Sequence, residues 1–92
     1  MTETALTRPR LAAGVRLHWD RVREQHVLLY PEGALVLNPT AADVLDLCDG
    51  SRTLDDIAEV LSGRYDGADV RDDVEELVAA IASRGLVVDA VD

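Results

Sequence analysis

The sequence has few or none of several residue types, and its cysteine count and charge balance exclude classes of function. There is no lysine, no phenylalanine and one cysteine, Cys48, among the 92 residues. A single cysteine excludes an intramolecular disulfide and a zinc site built on several cysteines. Nine arginines face 18 acids, which gives a net charge of -9. Because phosphate binding needs a surplus of positive charge, nucleic acid is not an expected partner.

Long apolar runs are also absent. The first ten residues are polar, and no stretch approaches the length of a membrane span. We therefore expect no secretory signal, no membrane partner and a cytoplasmic location. Hydrophobic residues still make up 48% of the chain, which is enough for one small core. These features predict a flexible N-terminal arm over residues 1 to 10 and a single domain over residues 11 to 92.

The two halves of the chain differ in charge. Residues 1 to 37 hold five arginines and four acids, a net charge of +1. Residues 38 to 92 hold four arginines and fourteen acids, a net charge of -10. The halves also differ in the period of their hydrophobic pattern, but neither could bury its apolar face alone, so we predict no domain boundary between them.

In the first half apolar residues recur with the period of a strand. This predicts antiparallel strands over residues 15 to 19, 26 to 30 and 34 to 37. Pro31-Glu32-Gly33 is typical of a tight turn between the last two strands. These two strands are apolar on both faces. Either helices cover one face and a loop or the N-terminal arm covers the other, or one face binds a partner.

In the second half apolar residues recur with helical spacing, which predicts three helices. Thr40 and Thr53 each precede an acid by three residues, as in a capping box, and Asp69 is expected to cap the third helix. Residues 86 to 88 form either a short final strand or a docking tail. Glycines mark the expected helix ends: Gly50, Gly63 with Gly67, and Gly85.

These elements predict an α+β fold in which an N-terminal three-stranded antiparallel sheet is followed by a three-helix bundle, as in a winged helix-turn-helix. That architecture often binds DNA. The predicted recognition helix, residues 69 to 84, holds five acids against two arginines. Each acid near a phosphate adds repulsion, so the charge argues against DNA binding.

No set of side chains suited to catalysis is visible. Cys48 lies on an apolar helical stripe, which indicates a buried thiol. His18 and His26 could be neighbours across two strands, but no third metal ligand follows at a suitable spacing. The pairs Asp55-Asp56 and Asp72-Asp73 do not face each other on a helix. We therefore predict a binding module rather than an enzyme, with no cofactor and no metal.

A groove for an extended peptide is predicted between the third strand and the third helix. The strand is last in the sheet, so one edge is unpaired, and it lacks the lysine or proline residues that protect exposed edges. One flank of the helix carries Asp73, Leu77, Ala80 and Arg84 beside its core stripe, together with several alanines. Small residues let another chain approach closely. The alternative, which stays open, is that alanine simply favours helix.

Short sequence elements occur in a characteristic order over residues 8 to 88. The most informative are Gly14-Val15-Arg16-Leu17, Trp19-Asp20 and Pro31-Glu32. The others are Pro9-Arg10-Leu11, Val27-Leu28-Leu29, Leu37-Asn38, Thr40-Ala41, Val44-Leu45, Asp49-Gly50, Arg52-Thr53, Ile57, Asp73-Val74 and Arg84-Gly85-Leu86. No single element is specific. Their order and spacing resemble the PqqD family of pyrroloquinoline quinone (PQQ) biosynthesis.

The resemblance implies a non-catalytic recognition element for ribosomally made, modified peptides. PqqD-like proteins bind the precursor peptide PqqA and present it to PqqE, a radical S-adenosylmethionine enzyme with iron-sulfur clusters, and they hold no cofactor of their own. In related recognition elements the leader peptide adds as a strand beside the third strand and lies against the third helix.

Carried onto this chain, the resemblance implies eleven peptide-binding residues: a strand edge of Leu35, Val36, Leu37 and Asn38, a helix wall of Asp73, Leu77, Ala80 and Arg84, and Val74, Val78 and Ile81 beneath that wall. A monomer is expected in solution, with a dimer as the alternative. Two other functions stay open. One is a recognition element of a related pathway such as mycofactocin; the other is a structural winged-helix domain that dimerises through its sheet.

Overall fold

A computed structural model of the protein describes residues 7 to 90. In this range the chain forms an α+β fold with three helices and antiparallel sheets. The elements in chain order are β1 (Pro9–Leu11), β2 (Arg16–Asp20), β3 (Gln25–Tyr30), β4 (Gly33–Leu37), α1 (Pro39–Asp46), α2 (Leu54–Arg64), α3 (Arg71–Ala82) and β5 (Val87–Asp89). No helix in this range is long and apolar enough to cross a membrane.

The three predicted strands form one antiparallel sheet in the order β2-β3-β4. Leu28 of β3 lies opposite Leu17 of β2 and Leu35 of β4, so these leucines form one row on the face that packs against the helices. On the other face Val27 is buried outside the main core cluster, and Val36, directly opposite it, is 56% exposed. The alternating pattern therefore packs one face against the helices, most completely at Leu28, and leaves Val36 on the other face exposed.

A second sheet, which joins β1 to β5, was predicted only in part. Of residues 86 to 88, which the sequence predicts as a strand or a tail, Val87 and Val88 belong to β5, which follows the helices. β1 was not predicted: Pro9 pairs with Asp89, and the backbone N–H groups of Thr7 and Arg8 donate to the Asp89 carboxylate, both at 3.1 Å. The predicted arm over residues 1 to 10 thus overlaps a strand at its end. Residues 1 to 6 lie outside the described residues.

All three predicted helices are present, but two begin with a different cap. Asn38, rather than Thr40, caps α1, because its side-chain oxygen accepts a hydrogen bond from the Ala41 N–H at 2.7 Å and Pro39 occupies the first helical position. In α3 the N-cap is Val70, which makes no side-chain hydrogen bond. Asp69, the predicted cap, accepts a hydrogen bond from the Arg71 N–H instead, at 3.2 Å.

The predicted helix ends are confirmed at three glycines. α2 ends before Gly67 and α3 before Gly85, and both glycines have the positive φ that terminates helices. Gly63, in contrast, lies inside α2, and Gly50 follows three further residues after α1 ends. Gly50, Gly67 and Gly85 all have a positive φ and follow their helices with two or three residues between, so only Gly63 was wrongly predicted as a helix end.

The three helices and β3 share one hydrophobic core. Apart from Pro9 of β1, the largest fully buried side chains come from these four elements: Leu28, Val44, Leu45, Ile57, Leu61, Val74 and Val78. Cys48 is part of this cluster and is 3% exposed, as its place on the apolar stripe predicted. The core fixes the position of α3 relative to α1, and this position determines the shape of the surface between them.

The capping box of α2 is present as predicted. The Thr53 hydroxyl accepts from the Asp56 N–H and the Asp56 carboxylate accepts from the Thr53 N–H, both at 3.1 Å. We expect Thr53→Ala to lower the free energy of unfolding by about 1 kcal/mol, because one helix N–H loses its partner. Urea unfolding measures this, with Thr53→Ser as the control that keeps the hydroxyl. An equal loss in both variants would show that the cap is not the cause.

The same cap makes this part of the stability depend on pH. The hydrogen bonds from Thr53, the backbone bond first, hold the pKa of Asp56 below its ordinary value of 3.8. The stabilising effect is therefore present above pH 3.8 and is lost as the pH falls through the lowered pKa. The difference in unfolding free energy between wild type and Asp56→Asn should therefore shrink on acidification, because protonation removes from the wild type the charge that the variant lacks. Urea unfolding at neutral and acidic pH measures this difference.

Candidate functional site

The open edge of the central sheet is the first part of the candidate site. β4 pairs with β3 on one side, and no strand among residues 7 to 90 pairs with its other side. Leu35 is half-buried, Val36 is exposed and Leu37 is buried. Asn38 lies beyond the strand, where its side chain caps α1. Because unpaired backbone groups of an edge strand can pair with another chain, β4 can accept an extended peptide.

A pocket of about 250 Å³ lies between α1, the end of α2 and the first half of α3, and Asn38, which directly follows β4, forms part of its lining. Its apolar lining comes from Ala41, Val44, Leu61, Val70, Val74 and Leu77, and its polar lining from Asn38, Thr40, Tyr65 and Asp73. We call this cavity the groove pocket. An apolar floor with a few polar groups at the rim is typical of a site for one side chain of a ligand.

The groove pocket brings together four of the eleven predicted peptide-binding residues: Asn38, Asp73, Val74 and Leu77. Leu77 is half-buried, so its side chain is accessible to a ligand. Asp73 is exposed, and none of the hydrogen bonds or ion pairs found among the described residues involves it. A carboxylate without a partner beside an apolar pocket can meet a cationic or hydrogen-bond-donating group.

The other seven predicted residues lie elsewhere. Val78 is 1% exposed and Ile81 is also buried, so both support the wall from within the core. Ala80 lies further along α3, and Arg84 lies beyond the helix, which ends at Ala82. Both are exposed, and neither lines the groove pocket. Val36 and Leu37 line a different cavity, described below, and Leu35 lines neither.

Tyr65 is the residue of this site that the sequence analysis missed. Its Oη donates a hydrogen bond to Oδ2 of Asp43, 22 residues away in sequence, at 2.5 Å. This bond, the largest cause, raises the pKa of Tyr65, whereas the side chain of Thr40 acts in the opposite direction. Tyr65 therefore ties the end of α2 to α1 and holds Asp43 in place. The one signal in the sequence is that Tyr65 is the single aromatic residue of the acidic half, residues 38 to 92.

The groups considered for catalysis do not converge. His18 lies opposite Val27 and His26 opposite Trp19, so the two histidines are on different faces of the sheet and not neighbours. Asp55 accepts a hydrogen bond from Arg71, whereas Asp56 belongs to the capping box. Among residues 7 to 90 no group of three or more His, Cys, Asp or Glu side chains is placed to hold a metal ion.

Cys48 is predicted to be chemically inert in the folded protein. Its Sγ donates to the Val44 carbonyl at 3.3 Å, and burial, with a smaller effect of Asp49, raises the pKa of the thiol to about 12. At about pH 8 a free cysteine is partly thiolate, the reactive form. We therefore expect iodoacetamide to modify Cys48 only after unfolding in urea, as measured by mass spectrometry. Rapid modification of the native protein would contradict this.

Comparison with known proteins gives consistent results. The family model described as coenzyme PQQ synthesis protein D (PqqD) matches residues 25–87. The chain is 43% identical over 81 residues to the PqqA binding protein of Xanthomonas oryzae pv. oryzae, covering 86% of this chain and 88% of that one. It is 37% identical over 73 residues to the PqqA binding protein of Methylococcus capsulatus, covering 79% and 78%.

A solved structure agrees with these sequence relationships. The chain is similar to the solution NMR structure of the PqqD part of Methylobacterium extorquens PqqCD, with a TM-score of 0.75 and 40% identity over 86% of both chains. That protein is described as a functional, stand-alone recognition element for ribosomally synthesised and post-translationally modified peptides. At 40% identity the two proteins are similar in sequence as well as in fold.

Proposed function

The chain belongs to the PqqD family, and on this premise we propose that it binds the precursor peptide PqqA and presents it to the radical enzyme PqqE in PQQ biosynthesis. The names of its relatives, PqqA binding protein, support the identity of the peptide. In this proposal the protein is a non-catalytic monomer that acts in the cytoplasm. Its three helices and the sheet β2-β3-β4 serve as a winged helix-turn-helix that binds peptide instead of DNA.

One observation supports the proposal: β4 has an open edge, and Asn38, the residue that directly follows β4, lines the groove pocket together with Leu77 and Asp73 of α3. A peptide that extends along β4 would form main-chain hydrogen bonds, which tolerate variation in its sequence. Its side chains on the helix side would meet α3, and the pocket would accept one of them and so fix the register. This combination gives affinity from the backbone and specificity from a single side chain.

Presentation of the peptide to an enzyme then needs no chemistry from this chain. When the carrier of a bound peptide also contacts the enzyme, the peptide is held near the active site. Its effective concentration there is higher than that of free peptide. The part of the peptide that is modified must stay outside the groove. A short strand edge such as β4, with five residues, leaves most of a longer peptide free to reach the enzyme.

An amide NMR titration tests the proposal. The ¹⁵N-labelled protein is titrated with the PqqA peptide encoded near its gene, and with a scrambled peptide of the same composition as the control. We expect shifts confined to residues 34 to 38 and to the flank of α3 that contains Leu77. No shift at millimolar peptide would contradict the proposal. A stronger response to the precursor of another modified-peptide pathway would instead favour a recognition element of that pathway.

The oligomeric state is tested separately, because a dimer formed through the sheet would compete with a peptide for its surface. Light scattering of the isolated chain is expected to give the mass of a monomer, 10.0 kDa. A stable dimer that dissociates on addition of peptide would keep peptide binding but change the resting state of the protein. A stable dimer that does not respond to peptide would favour a structural dimerisation domain.

A further inference from the structure

A second cavity, of about 660 Å³, lies at the end of the central sheet and is larger than the groove pocket. One wall is a row of side chains across the sheet: Trp19 of β2, His26 of β3 and Leu37 of β4, which lie opposite one another in the register. Asp43 of α1 and Glu24 of the β2–β3 turn complete the lining used below. We call this cavity the tryptophan pocket. Nothing in the proposed function so far uses it.

Trp19 is the most unusual residue of this pocket. It is the single tryptophan of the chain and remains 46% exposed. The ring of His26 packs against it edge to face, with ring centres 4.8 Å apart and planes at 65°. This contact orients the indole while much of its surface stays accessible. Exposed, well-oriented tryptophans are enriched among residues that dominate binding energies.

The charged groups that line the tryptophan pocket are acidic. Glu24 and Asp43 both line it, and no arginine does. The Arg23 side chain, close in sequence, lies 4.0 Å from Asp20 instead. Asp43 is held in position by the hydrogen bond from Tyr65. An aromatic face with carboxylates around it attracts a cation, because both the ring quadrupole and the negative charges act in the same direction.

The tryptophan pocket is continuous with the proposed peptide groove. Asn38, at the end of β4, lines both cavities, and the Asp43–Tyr65 hydrogen bond joins a residue of one cavity to a residue of the other. Val36 and Leu37 of β4 also line the tryptophan pocket, so a peptide that pairs with the edge of β4 lies next to residues of this cavity. This continuity identifies the occupant as a further segment of the same peptide rather than an unrelated ligand.

We propose that the tryptophan pocket binds an arginine or lysine side chain of the peptide that pairs with β4, with the cation on the face of Trp19 between Glu24 and Asp43. The inference rests on the proposed function, since the peptide must first occupy the edge of β4. It adds a second specificity element: an apolar side chain for the groove pocket and a basic side chain for the tryptophan pocket. The two elements together fix the register and the direction of the peptide.

The test uses synthetic PqqA peptides in which each arginine is replaced by citrulline and each lysine by acetyllysine, one at a time. These replacements remove the charge. Citrulline also keeps the length of the arginine side chain, whereas acetyllysine is longer than lysine by an acetyl group. The affinity is measured by calorimetry, and the indole N–H signal of labelled Trp19 is followed by NMR. We expect one replacement to weaken binding by about 2- to 30-fold, the range of a cation–π contact, and to abolish the shift of the Trp19 signal.

Protein variants separate this contact from a structural effect. Glu24→Gln should weaken binding of the native peptide and leave binding of the uncharged peptide unchanged, because only one of the two has the cation. Trp19→Leu should behave in the same way, and Trp19→Phe should retain part of the affinity. Urea unfolding of each variant checks that the fold is intact.

The possible outcomes distinguish this inference from the proposed function. If the amides of residues 34 to 38 shift but the Trp19 signal does not, the inference is wrong and strand addition stands. A precursor without arginine or lysine, or one whose uncharged versions all bind equally well, also overturns it. If neither region responds to the peptide, the proposed function fails and the inference fails with it.

Discussion

Leu77→Asp is expected to weaken binding of the precursor peptide by about 10- to 100-fold, because a carboxylate would replace an apolar contact in the groove pocket and lose its water on binding. Leu77 is half-buried and lines the pocket between α1 and α3. Its side chain is accessible to a peptide on one side and packs against the core cluster on the other. Calorimetry with the PqqA peptide measures the change in affinity.

A matched control on the same helix distinguishes a local effect from a general one. Ala79 is exposed on α3 and does not line the groove pocket, so Ala79→Asp introduces the same charge away from the site. We expect its affinity for the peptide to remain within about twofold of wild type, as for most surface substitutions. Leu77→Ala provides a milder change at the site itself. If Leu77→Asp unfolds the protein, Leu77 belongs to the core and Leu77→Ala decides whether it also binds.

The elements with a strong local pattern were predictable from the sequence. β2, β3 and β4 follow from alternation and from the Pro31-Glu32-Gly33 turn, and all three helices follow from their apolar spacing. These signals are local, because neighbouring residues of one element alone decide which face is buried. The capping box at Thr53 is a clear example, since its two hydrogen bonds span three residues.

What the sequence could not reveal depends on contacts between distant residues. Pro9 pairs with Asp89 across almost the whole chain, in strands of three residues that carry no periodic signal of their own. The Asp43–Tyr65 hydrogen bond likewise joins two helices that must first be packed. The cap at Asn38 could have been predicted locally, because Asn followed by Pro is a helix-start signal. The capping-box pattern at Thr40 favoured a different start.

The candidate site likewise has a part that was predictable from local pattern and a part that depends on packing. The edge of β4 was predictable, since the last strand of a meander has one unpaired side. The helix wall was predictable only as a stripe, and helix spacing alone could not decide that Asp73 and Leu77 border the groove pocket whereas Ala80 and Arg84 do not. That distinction depends on where α1 and the end of α2 meet α3, which is a property of the packed core.

The largest stability effect is expected at Leu28. This side chain is 0% exposed, lies in the row with Leu17 and Leu35, and belongs to the core cluster that all three helices share. Leu28→Ala should lower the free energy of unfolding by about 2–5 kcal/mol, because it removes buried apolar contacts and leaves a cavity. A domain of this size is stabilised by only about 5–15 kcal/mol in total, so the variant should be close to unfolding at physiological temperature.

Leu29→Ala is the matched control, because it changes the same residue type at the next position of β3. Leu29 lies on the opposite face of the sheet and is only half-buried, so we expect a clearly smaller loss. Urea unfolding of both variants measures the difference through the midpoint and the slope of the transition. Equal losses would mean that both faces of the sheet are covered in solution, since only burial makes a leucine costly to remove. A covered outer face would in turn favour a dimer formed through the sheet over the monomer that peptide presentation assumes.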